Sequence, residues 1–241
     1  MAWTCSGVTN AGMIQRLEAA SLLVTPAVIE AFRRVDRGWF LPHSPPEVAY
    51  SDQPVPIGYG ATISAPHMHA IMVEIIAPFL LRTPEGVKPA TVLDVGSGSG
   101  YLTAVLAELC SGRGGTVIGV EHISELVVRS TEVVNKHFRS WVEEGRIKFI
   151  EGDGRNITGL LGQKVPDFDV IHVGAAAATV PQVYIDALKP GGCLVIPVGR
   201  EGEAQTLRVY TKDMDGHISS TNHGGVRFVP LTSAKHQRGG I

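Results

Sequence analysis

A strand that runs directly into three closely spaced glycines constrains the fold of this chain more than any other feature. Residues 92–100 read VLDVGSGSG, and a helix-like apolar pattern follows from Leu102. Gly96, Gly98 and Gly100 allow a sharp turn and a close approach of the backbone to a ligand. The N–H groups at the start of the helix can bind polar groups. The segment therefore predicts a ligand site where a buried strand meets a helix.

Strand and helix segments alternate along the chain from Thr91 onwards. The predicted strands are Thr91–Val95, Thr116–Val120, Ile147–Ile150, Phe168–Val173 and Cys193–Val198. The predicted helices lie near Leu102–Cys110, Ser124–Trp141 and Val180–Leu188. This alternation is typical of a parallel sheet covered by helices on both faces. We therefore expect a doubly wound, Rossmann-like α/β fold.

The end of the chain departs from this alternation. Gln205–Lys212 and His217–Pro230 are strand-like, and a turn at Asp215-Gly216 joins them without a helix. This pattern predicts an antiparallel hairpin at the edge of the mostly parallel sheet.

The segment before the sheet, residues 1–90, is predicted to be helical with a long loop. Thr25-Pro26 is typical of a helix N-cap followed by proline at the first helical position. Residues 42–60 contain five prolines and two glycines, so no regular element is expected there. A long ordered loop in a compact domain is usually functional. Another helix is predicted to start at Ser64-Ala65-Pro66.

Length and composition exclude several classes of protein. A chain of 241 residues with 44% hydrophobic residues can form one domain, with residues 91–241 as its α/β core. The net charge of −2 gives no general attraction to nucleic acid or to an anionic membrane.

The longest apolar stretch, Ala70–Leu81, is too short to span a bilayer. The first ten residues lack the pattern of a signal peptide. Three widely separated cysteines favour neither a metal site nor a disulfide framework. We expect a cytoplasmic protein.

The glycine spacing also separates two kinds of ligand. A nicotinamide dinucleotide fingerprint would be GxGxxG, whereas the third glycine here comes one residue early. Asp94 stands two residues before the first glycine, where its charge would repel a pyrophosphate and suit a ligand with a cationic end. This spacing resembles the first motif of S-adenosylmethionine methyltransferases. The resemblance implies cofactor contacts from Asp94, Gly96, Ser97, Gly98, Ser99 and Gly100. A purely structural glycine turn is the alternative.

Acidic residues follow two further predicted strands. Glu121 ends the second strand, where a carboxylate can accept hydrogen bonds from both ribose hydroxyls of a nucleoside. Asp153 follows the third strand and could accept from an adenine amino group. The alternatives are a surface or helix-start charge for Glu121 and a plain Asp-Gly turn for Asp153. Leu188–Gly192 is also typical of these methyltransferases, but its role is turn geometry.

One run before the sheet identifies a narrower resemblance. Residues 61–70 read ATISAPHMHA, and with them the chain resembles the protein-L-isoaspartate (D-aspartate) O-methyltransferase family over nearly its whole length. The other matching segments are Met1–Trp3, Val35–Arg37, Ile57-Gly58, Leu93–Gly100, Gly152–Arg155, Ile171–Ala176, Leu188–Gly192, Pro197–Gly199 and Val229–Thr232. Residues 61–70 are highly specific, whereas the glycine motif alone indicates methyltransferases in general.

The resemblance implies a reaction, a cofactor and a set of site residues. S-adenosyl-L-methionine would donate a methyl group to the free α-carboxylate of an isoaspartyl residue in a damaged protein or peptide, leaving S-adenosyl-L-homocysteine. The ester would then cyclise without the enzyme to a succinimide, which reopens partly to aspartate. Ser64 would orient the acceptor carboxylate. The residues implied at the cofactor are Ala61, Thr62, Ile63, Ser64, His69, Ser99, Glu121, His122, Asp153, Gly154, Thr232 and Gln237.

Some positions depart from the family pattern or have a second interpretation. The loop between Asp36 and Ile57 is longer than in animal members, and Glu121 stands where those members tend to have Asp. After Thr232 the tail agrees only loosely, so the match at Gln237 is the weakest. Ser64 could instead act as the N-cap of the helix at Pro66.

Three other functions are alternatives to this one. They are a nicotinamide-dependent oxidoreductase, a non-catalytic S-adenosylmethionine-binding module and a small-molecule methyltransferase.

His67 and His69 stand at i and i+2 of a predicted helix and do not face one site, so no metal centre is expected. No coiled-coil heptad is present, and family members are mostly monomeric, so a monomer is expected.

Overall fold

The computed structural model describes residues 5–81, 89–162 and 167–239, and the matching segment Met1–Trp3 lies outside them. The helices are α1 (Asn10–Ala19), α2 (Pro26–Arg34), α3 (Pro46–Ala49), α4 (Pro66–Leu80), α5 (Tyr101–Cys110), α6 (Ser124–His137), α7 (Arg139–Glu143), α8 (Ile157–Leu161), α9 (Gln182–Asp186) and α10 (Ala234–Gln237). The strands are β1 (Val55–Gly58), β2 (Ala61–Ile63), β3 (Thr91–Val95), β4 (Thr116–Glu121), β5 (Ile147–Glu151), β6 (Phe168–Val173), β7 (Leu188–Val198), β8 (Gln205–Lys212) and β9 (Ile218–Val226). Short 3₁₀ helices lie at Arg37–Phe40, Ser111–Arg113 and Gly154–Asn156.

Seven strands form the central sheet in the order β5-β4-β3-β6-β7-β8-β9. The pairs from β5 to β7 are parallel, and β7, β8 and β9 are antiparallel. The predicted α/β fold with a C-terminal antiparallel hairpin is therefore confirmed.

The sheet separates two apolar cores. Successive residues of a strand point to opposite faces. Accordingly, Val92 and Val170 pack with α4, α5 and the N-terminal helices, whereas Leu93 and Ile171 pack in a core that includes Tyr184. Because β3 and β4 are parallel neighbours, their carboxyl ends lie beside each other, as the register Val95↔Val120 shows. In the described parts of the chain, no helix combines the length and apolarity needed to cross a membrane.

The expectation of no regular element in residues 42–60 is wrong. Pro46 starts the one-turn helix α3, and Val55–Gly58 forms strand β1, which pairs antiparallel with β2. The prolines are tolerated because Pro46 stands at a first helical position and Pro56 lies in a two-stranded ribbon. The ribbon turns through Gly58, Tyr59 and Gly60, all with positive φ.

Several element boundaries also differ from prediction, and β7 starts at Leu188 instead of Cys193. The helix expected over Ser124–Trp141 is broken at Phe138, whose φ of −140° and ψ of 45° are not helical. The helix expected over Val180–Leu188 is confined to Gln182–Asp186, because Leu188 already pairs with Phe168 as the first residue of β7. The second hairpin strand ends at Val226 instead of Pro230.

Thr25 stands at the N-cap position of α2 as predicted, but its side chain makes no capping hydrogen bond. The Thr25 hydroxyl instead donates to Glu74 Oε2 at 2.6 Å. Glu74 Oε1 accepts from the backbone N–H groups of Val24 and Thr25. A carboxylate from α4 therefore binds the start of α2.

Candidate active site

The glycine turn after β3 has the left-handed backbone that its sequence suggested. Gly96, Gly98 and Gly100 have φ of 73°, 52° and 82°. The N–H groups of Gly96 and Ser97 donate to the carbonyl of Val120, which joins the turn to β4. A Cβ on Gly100 would lie 2.7 Å from the Cβ of Ser130. Glycine is therefore required for both the conformation and the close packing.

Asp94 lies at the end of β3 and is almost fully buried. Its Oδ2 accepts from the Thr103 hydroxyl at 2.5 Å, and its Oδ1 lies 2.7 Å from His172 Nδ1. His172 is the register partner of Asp94 on β6, which places the two side chains side by side. Internal partners therefore fix the carboxylate before any ligand arrives.

Glu121 ends β4 and is also buried. Its Oε2 accepts from the backbone N–H of Gly98 at 2.9 Å, and its Oε1 accepts from that of Ile123 at 3.0 Å. The carboxylate therefore joins the glycine turn to the loop that follows β4. Each oxygen keeps a further lone pair for a ligand hydroxyl.

Two small cavities flank the glycine turn, and we name each after its acidic residue. The residues around the Glu121 cavity are Ala61, Thr62, Val95, Gly96, Gly98, Val120, Glu121, His122, Gly152, Gly154, Gly174, Ala175, Val229, Pro230, Leu231, Thr232 and Gln237. The residues around the Asp94 cavity are Thr62, Ile63, Ser64, His69, Met72, Asp94, Gly96, Ser97, Gly98, Ser99, Leu102, His172 and Gly174. The two cavities share Thr62, Gly96, Gly98 and Gly174, so they form two ends of one site.

A third, larger space lies beside Thr62 of β2 and the start of α4. This outer groove has a volume of about 990 Å³, and Ser64, His67, Arg227 and Phe228 are among the residues that line it. Thr62 and Gly174 line the outer groove as well as both cavities. All three spaces therefore meet at Thr62 and Gly174.

Ser64 lies between the Asp94 cavity and the outer groove and lines both. The N-cap residue of α4 is Ala65, and no side chain of the cap residue bonds the helix. The interpretation of Ser64 as the N-cap is therefore wrong. Instead, Asp52 Oδ1 accepts from the backbone N–H of His67 at 3.0 Å and caps the helix from a distant loop.

The two histidines of α4 contact partners of opposite charge. His67 Nδ1 lies 2.7 Å from Asp52 Oδ1, whereas His69 Nδ1 lies 3.3 Å from Arg37 Nη1. Burial would raise the pKa of Asp52, but hydrogen bonds from the ring and backbone of His67 and from the backbone of Cys5 outweigh it and lower that pKa. Burial, together with the nearby Arg37, holds the pKa of His69 well below its usual value. His69 is therefore neutral near pH 7.

The C-terminal segment closes the Glu121 cavity. Gln237 Oε1 lies 2.8 Å from His122 Nε2, and Gln237 Nε2 donates to the carbonyl of Tyr59 at 3.1 Å. Arg238 stacks over the Tyr59 ring and pairs with Glu125. Gln237, the weakest match in the sequence, therefore joins the tail to both the β1–β2 turn and the loop after β4.

Asp153 is not among the residues that line the Glu121 or the Asp94 cavity. Its two carboxylate oxygens accept from the backbone and guanidinium of Arg155, and this pairing lowers the pKa of Asp153. Its neighbours Gly152 and Gly154 line the Glu121 cavity. An adenine contact through the Asp153 carboxylate therefore stays a prediction.

The predicted site residues did not include several that hold or line the site, and four of these matter most for its geometry. Asp52, Arg37 and His172 hold His67, His69 and Asp94, and Gly174 lies at the junction of the three spaces. Arg37, His172 and Gly174 lie in the matching segments Val35–Arg37 and Ile171–Ala176 but were given no role there, and Asp52 lies outside every matching segment. Gly174 follows the β6 strand directly, so the rule that ligands bind at the carboxyl ends of parallel strands could have found it.

The arrangement of donors and acceptors fits S-adenosylmethionine. The hydroxyl of Ser97 is buried at the Asp94 cavity and has no hydrogen-bond partner within the described residues. Asp94 offers a negative charge of the kind that suits a cationic group, and Glu121 offers acceptors of the kind that suit hydroxyl groups. The open volumes of the Glu121 and Asp94 cavities, about 50 Å³ and 30 Å³, are smaller than ordinary small-molecule sites. A ligand of this size needs more room than these two cavities hold in this structure.

Comparison with known sequences gives one consistent family. The family profile described as Protein-L-isoaspartate(D-aspartate) O-methyltransferase (PCMT) matches residues 8–236. A wheat (Triticum aestivum) protein-L-isoaspartate O-methyltransferase is 42% identical over 230 residues, which cover 95% of this chain and 93% of that protein. A Caenorhabditis elegans protein of the same name is 40% identical, with 98% of each chain covered.

A solved structure agrees with the sequence comparison. A Plasmodium falciparum structure described as a putative protein-L-isoaspartate O-methyltransferase in complex with S-adenosyl-L-homocysteine is similar to this chain with a TM-score of 0.82. The two sequences are 31% identical, and the match covers 93% of this chain and 98% of that one.

Proposed function

Since the chain belongs to the protein-L-isoaspartate(D-aspartate) O-methyltransferase family, we propose that it repairs damaged proteins by methyl transfer. The methyl group passes from S-adenosyl-L-methionine to the free α-carboxylate of an isoaspartyl residue. The bond between sulfur and methyl carbon breaks as the ester bond forms, which leaves neutral S-adenosyl-L-homocysteine. Outside the enzyme, a backbone amide nitrogen then attacks the ester and expels methanol, which gives a succinimide, and hydrolysis returns part of it to aspartate.

The observation that carries this proposal is the meeting of three spaces at Thr62 and Gly174. The Asp94 and Glu121 cavities suit the amino-acid and nucleoside ends of the cofactor, with the sulfonium between them beside the shared glycine turn. The outer groove is the larger space, at about 990 Å³, and suits a peptide chain. Ser64 faces both the Asp94 cavity and the outer groove, at the place where methyl donor and acceptor must meet.

The chain's residues have to position the reactants, but they have no proton to remove. A carboxylate with an ordinary pKa near 4 is already ionised at pH 7. Holding the carboxylate oxygen, the methyl carbon and the sulfur in line can contribute about 7–11 kcal/mol. Ser64 donates its hydroxyl hydrogen to the acceptor carboxylate and orients it. Thr62 and Gln237 help to enclose the reacting atoms and exclude water.

Paired peptides test the reaction directly. Two peptides that differ only in Asp or isoAsp at one position are incubated with the protein and methyl-labelled S-adenosyl-L-methionine. We expect label in the isoAsp peptide and essentially none in the Asp peptide. Equal labelling of both, or labelling of neither by a folded protein that binds the cofactor, would contradict the proposal.

A ligand comparison tests the cofactor separately. S-adenosyl-L-homocysteine is expected to raise the melting temperature, because a ligand that binds only the folded state stabilises it. NAD at the same concentration serves as the control and is expected to leave the melting temperature unchanged. The opposite result would favour a nicotinamide-dependent oxidoreductase.

Three broader predictions accompany this function. Residues 1–241 act as one methyltransferase domain, in which residues 1–90 supply the acceptor side and residues 91–241 the cofactor core. The protein acts as a monomer, which light scattering can check. It works in the cytoplasm, where aged proteins that contain isoaspartyl residues are its partners.

A further inference from the structure

Arg37 is a fully buried arginine beside the site. Its Nε donates to the carbonyl of Ala49 at 2.9 Å, and its Nη1 lies 3.3 Å from His69 Nδ1. Its guanidinium also lies 5.7 Å from the centroid of the Tyr101 ring. Among the described residues, no carboxylate pairs with it, and Nη2 has no hydrogen-bond partner. Burial lowers the pKa of Arg37 to about 10, so it stays cationic at neutral pH.

This contact fixes the position of the proton on His69. A guanidinium has five N–H donors and no acceptor, so the His69 atom that faces Arg37 must accept. His69 Nδ1 therefore carries the lone pair. In a neutral imidazole the proton then lies on Nε2.

The other nitrogen of His69 serves the Asp94 cavity. The His69 ring lines this cavity, and Nε2 makes no hydrogen bond with the described residues. In the Nε2–H form, the ring offers a donor to an oxygen atom in the cavity. Ser97 lies in the same lining with its hydroxyl unpartnered, so two donors are available there.

His67 provides an internal contrast on the same helix. Its Nδ1 faces Asp52, which accepts, so the proton of His67 lies on Nδ1. The two histidines thus hold their Nδ1 atoms in opposite hydrogen-bonding roles because their partners have opposite charge.

We propose that Arg37 is a positioning residue that holds His69 as the neutral Nε2–H tautomer, so that Nε2 donates to a carboxylate oxygen of the ligand in the Asp94 cavity. The ligand half of this proposal rests on the proposed function, in which that carboxylate is the one carried by the cofactor. The tautomer half depends on no ligand. An experiment can therefore refute the ligand contact without refuting the tautomer of His69, and the reverse.

Nitrogen NMR of the ligand-free, ¹⁵N-labelled protein tests the tautomer. Signals of His69 are assigned by their loss in His69→Gln. We expect an unprotonated Nδ1 and a protonated Nε2 from pH about 8 to about 5.5, because burial and the nearby Arg37 cation oppose protonation, with smaller contributions from the neighbouring rings of His172 and His67. The neutral Tyr101 ring, 5.2 Å from His69, completes the surroundings. A protonated Nδ1, or titration within this range, would overturn the proposal.

Two Arg37 variants separate positioning from packing. Arg37→Lys keeps a cationic group that can only donate, whereas Arg37→Met keeps much of the volume and removes the donor. We expect the Nε2–H pattern to persist in Arg37→Lys and to be lost in Arg37→Met. Persistence of the pattern in Arg37→Met would contradict a role for Arg37.

Two His69 variants test the ligand contact without touching Arg37, and they decide the question if Arg37→Met does not fold. In His69→Gln, the amide oxygen can accept from Arg37 while the NH₂ group reaches toward the cavity. In His69→Asn, the shorter side chain reaches Arg37 but not the cavity. We expect His69→Asn to bind S-adenosyl-L-homocysteine about ten-fold more weakly than His69→Gln. Equal affinities of the two variants would overturn the donor role, whether or not the wild type methylates isoAsp peptides.

Discussion

The cofactor side and the acceptor side of the Thr62–Gly174 junction differ in how their polar groups are held. On the cofactor side, Asp94 and Glu121 each accept two internal hydrogen bonds and are buried. On the acceptor side, Ser64 is only partly buried, and its hydroxyl makes no hydrogen bond with the described residues. The cofactor is always the same molecule, so fixed groups suit it. The acceptor varies in the sequence around the isoaspartyl residue, so an open groove suits it.

This contrast predicts that substitutions on the cofactor side act on both stability and affinity. Asp94→Ala should have the largest effect, because it leaves the Thr103 hydroxyl and His172 Nδ1 without their partner. An unsatisfied buried group costs about 1–3 kcal/mol. We also expect affinity for S-adenosyl-L-homocysteine to fall at least about a hundred-fold, since the proposed function places this negative charge beside the cationic end of the ligand. Thermal unfolding and calorimetry of the same preparation measure both.

Asp94→Asn provides the matched control. It keeps one acceptor oxygen and the side-chain volume but removes the charge. Its stability should lie between those of wild type and Asp94→Ala, while its affinity stays low. If a folded Asp94→Ala protein bound the ligand as tightly as the wild type does, the proposed difference between the cofactor side and the acceptor side would be wrong.

The acceptor side should show the opposite result. Because Ala65 is the N-cap of α4, Ser64→Ala should leave the melting temperature unchanged. Its turnover should fall about ten- to a hundred-fold, since a hydrogen bond to a charged group contributes about 1.5–3 kcal/mol. The loss should be constant between pH about 6 and 8, because the acceptor is already ionised.

Thr9→Ala is a control for Ser64→Ala. The Thr9 hydroxyl does cap a helix, because Thr9 Oγ1 accepts from the N–H of Gly12. Its removal should cost about 0.5–2 kcal/mol of stability and leave turnover unchanged. If Ser64→Ala behaved as Thr9→Ala does, Ser64 would be structural and the acceptor would lie elsewhere.

The cofactor side could be predicted from the sequence more completely than the acceptor side. The reason is that regular strands position the first, whereas irregular segments position the second. Asp94 is the next-to-last residue of β3 and Glu121 the last of β4, and the parallel pattern alone brings such strand ends to one edge of a sheet. The acceptor side depends on contacts between irregular segments, which no periodicity reports. The pairing of β1 with β2 was missed because five prolines hid it. The helix capping by Asp52 joins residues 15 positions apart and carries no local signal. Only the resemblance of residues 61–70 pointed to Ser64.

Variants of Glu121 test the second buried carboxylate of the cofactor side. Glu121→Ala removes the acceptor for the Gly98 and Ile123 N–H groups and for the ribose, so we expect about ten- to a hundred-fold weaker cofactor binding. Glu121→Asp keeps the charge, and the family resemblance predicts that it is tolerated. Calorimetry with S-adenosyl-L-homocysteine measures both variants. Unchanged affinity in Glu121→Ala would show that the ribose lies elsewhere.

Gln237 should give the smallest effect, because it closes the site without belonging to the fixed side. Its amide joins His122 to the Tyr59 carbonyl, and Tyr59 has a positive φ of 54° that the tail contacts help to hold. Gln237→Ala should therefore loosen the tail and raise the cofactor dissociation rate several-fold, since each neutral hydrogen bond contributes about 0.5–1.5 kcal/mol. Arg238→Ala serves as the control, because its pair with Glu125 is exposed and should matter less. Stopped-flow displacement of S-adenosyl-L-homocysteine measures the rates. If Gln237→Ala released the ligand no faster than Arg238→Ala does, the tail would be a surface feature and the closing role assigned to Gln237 would be wrong.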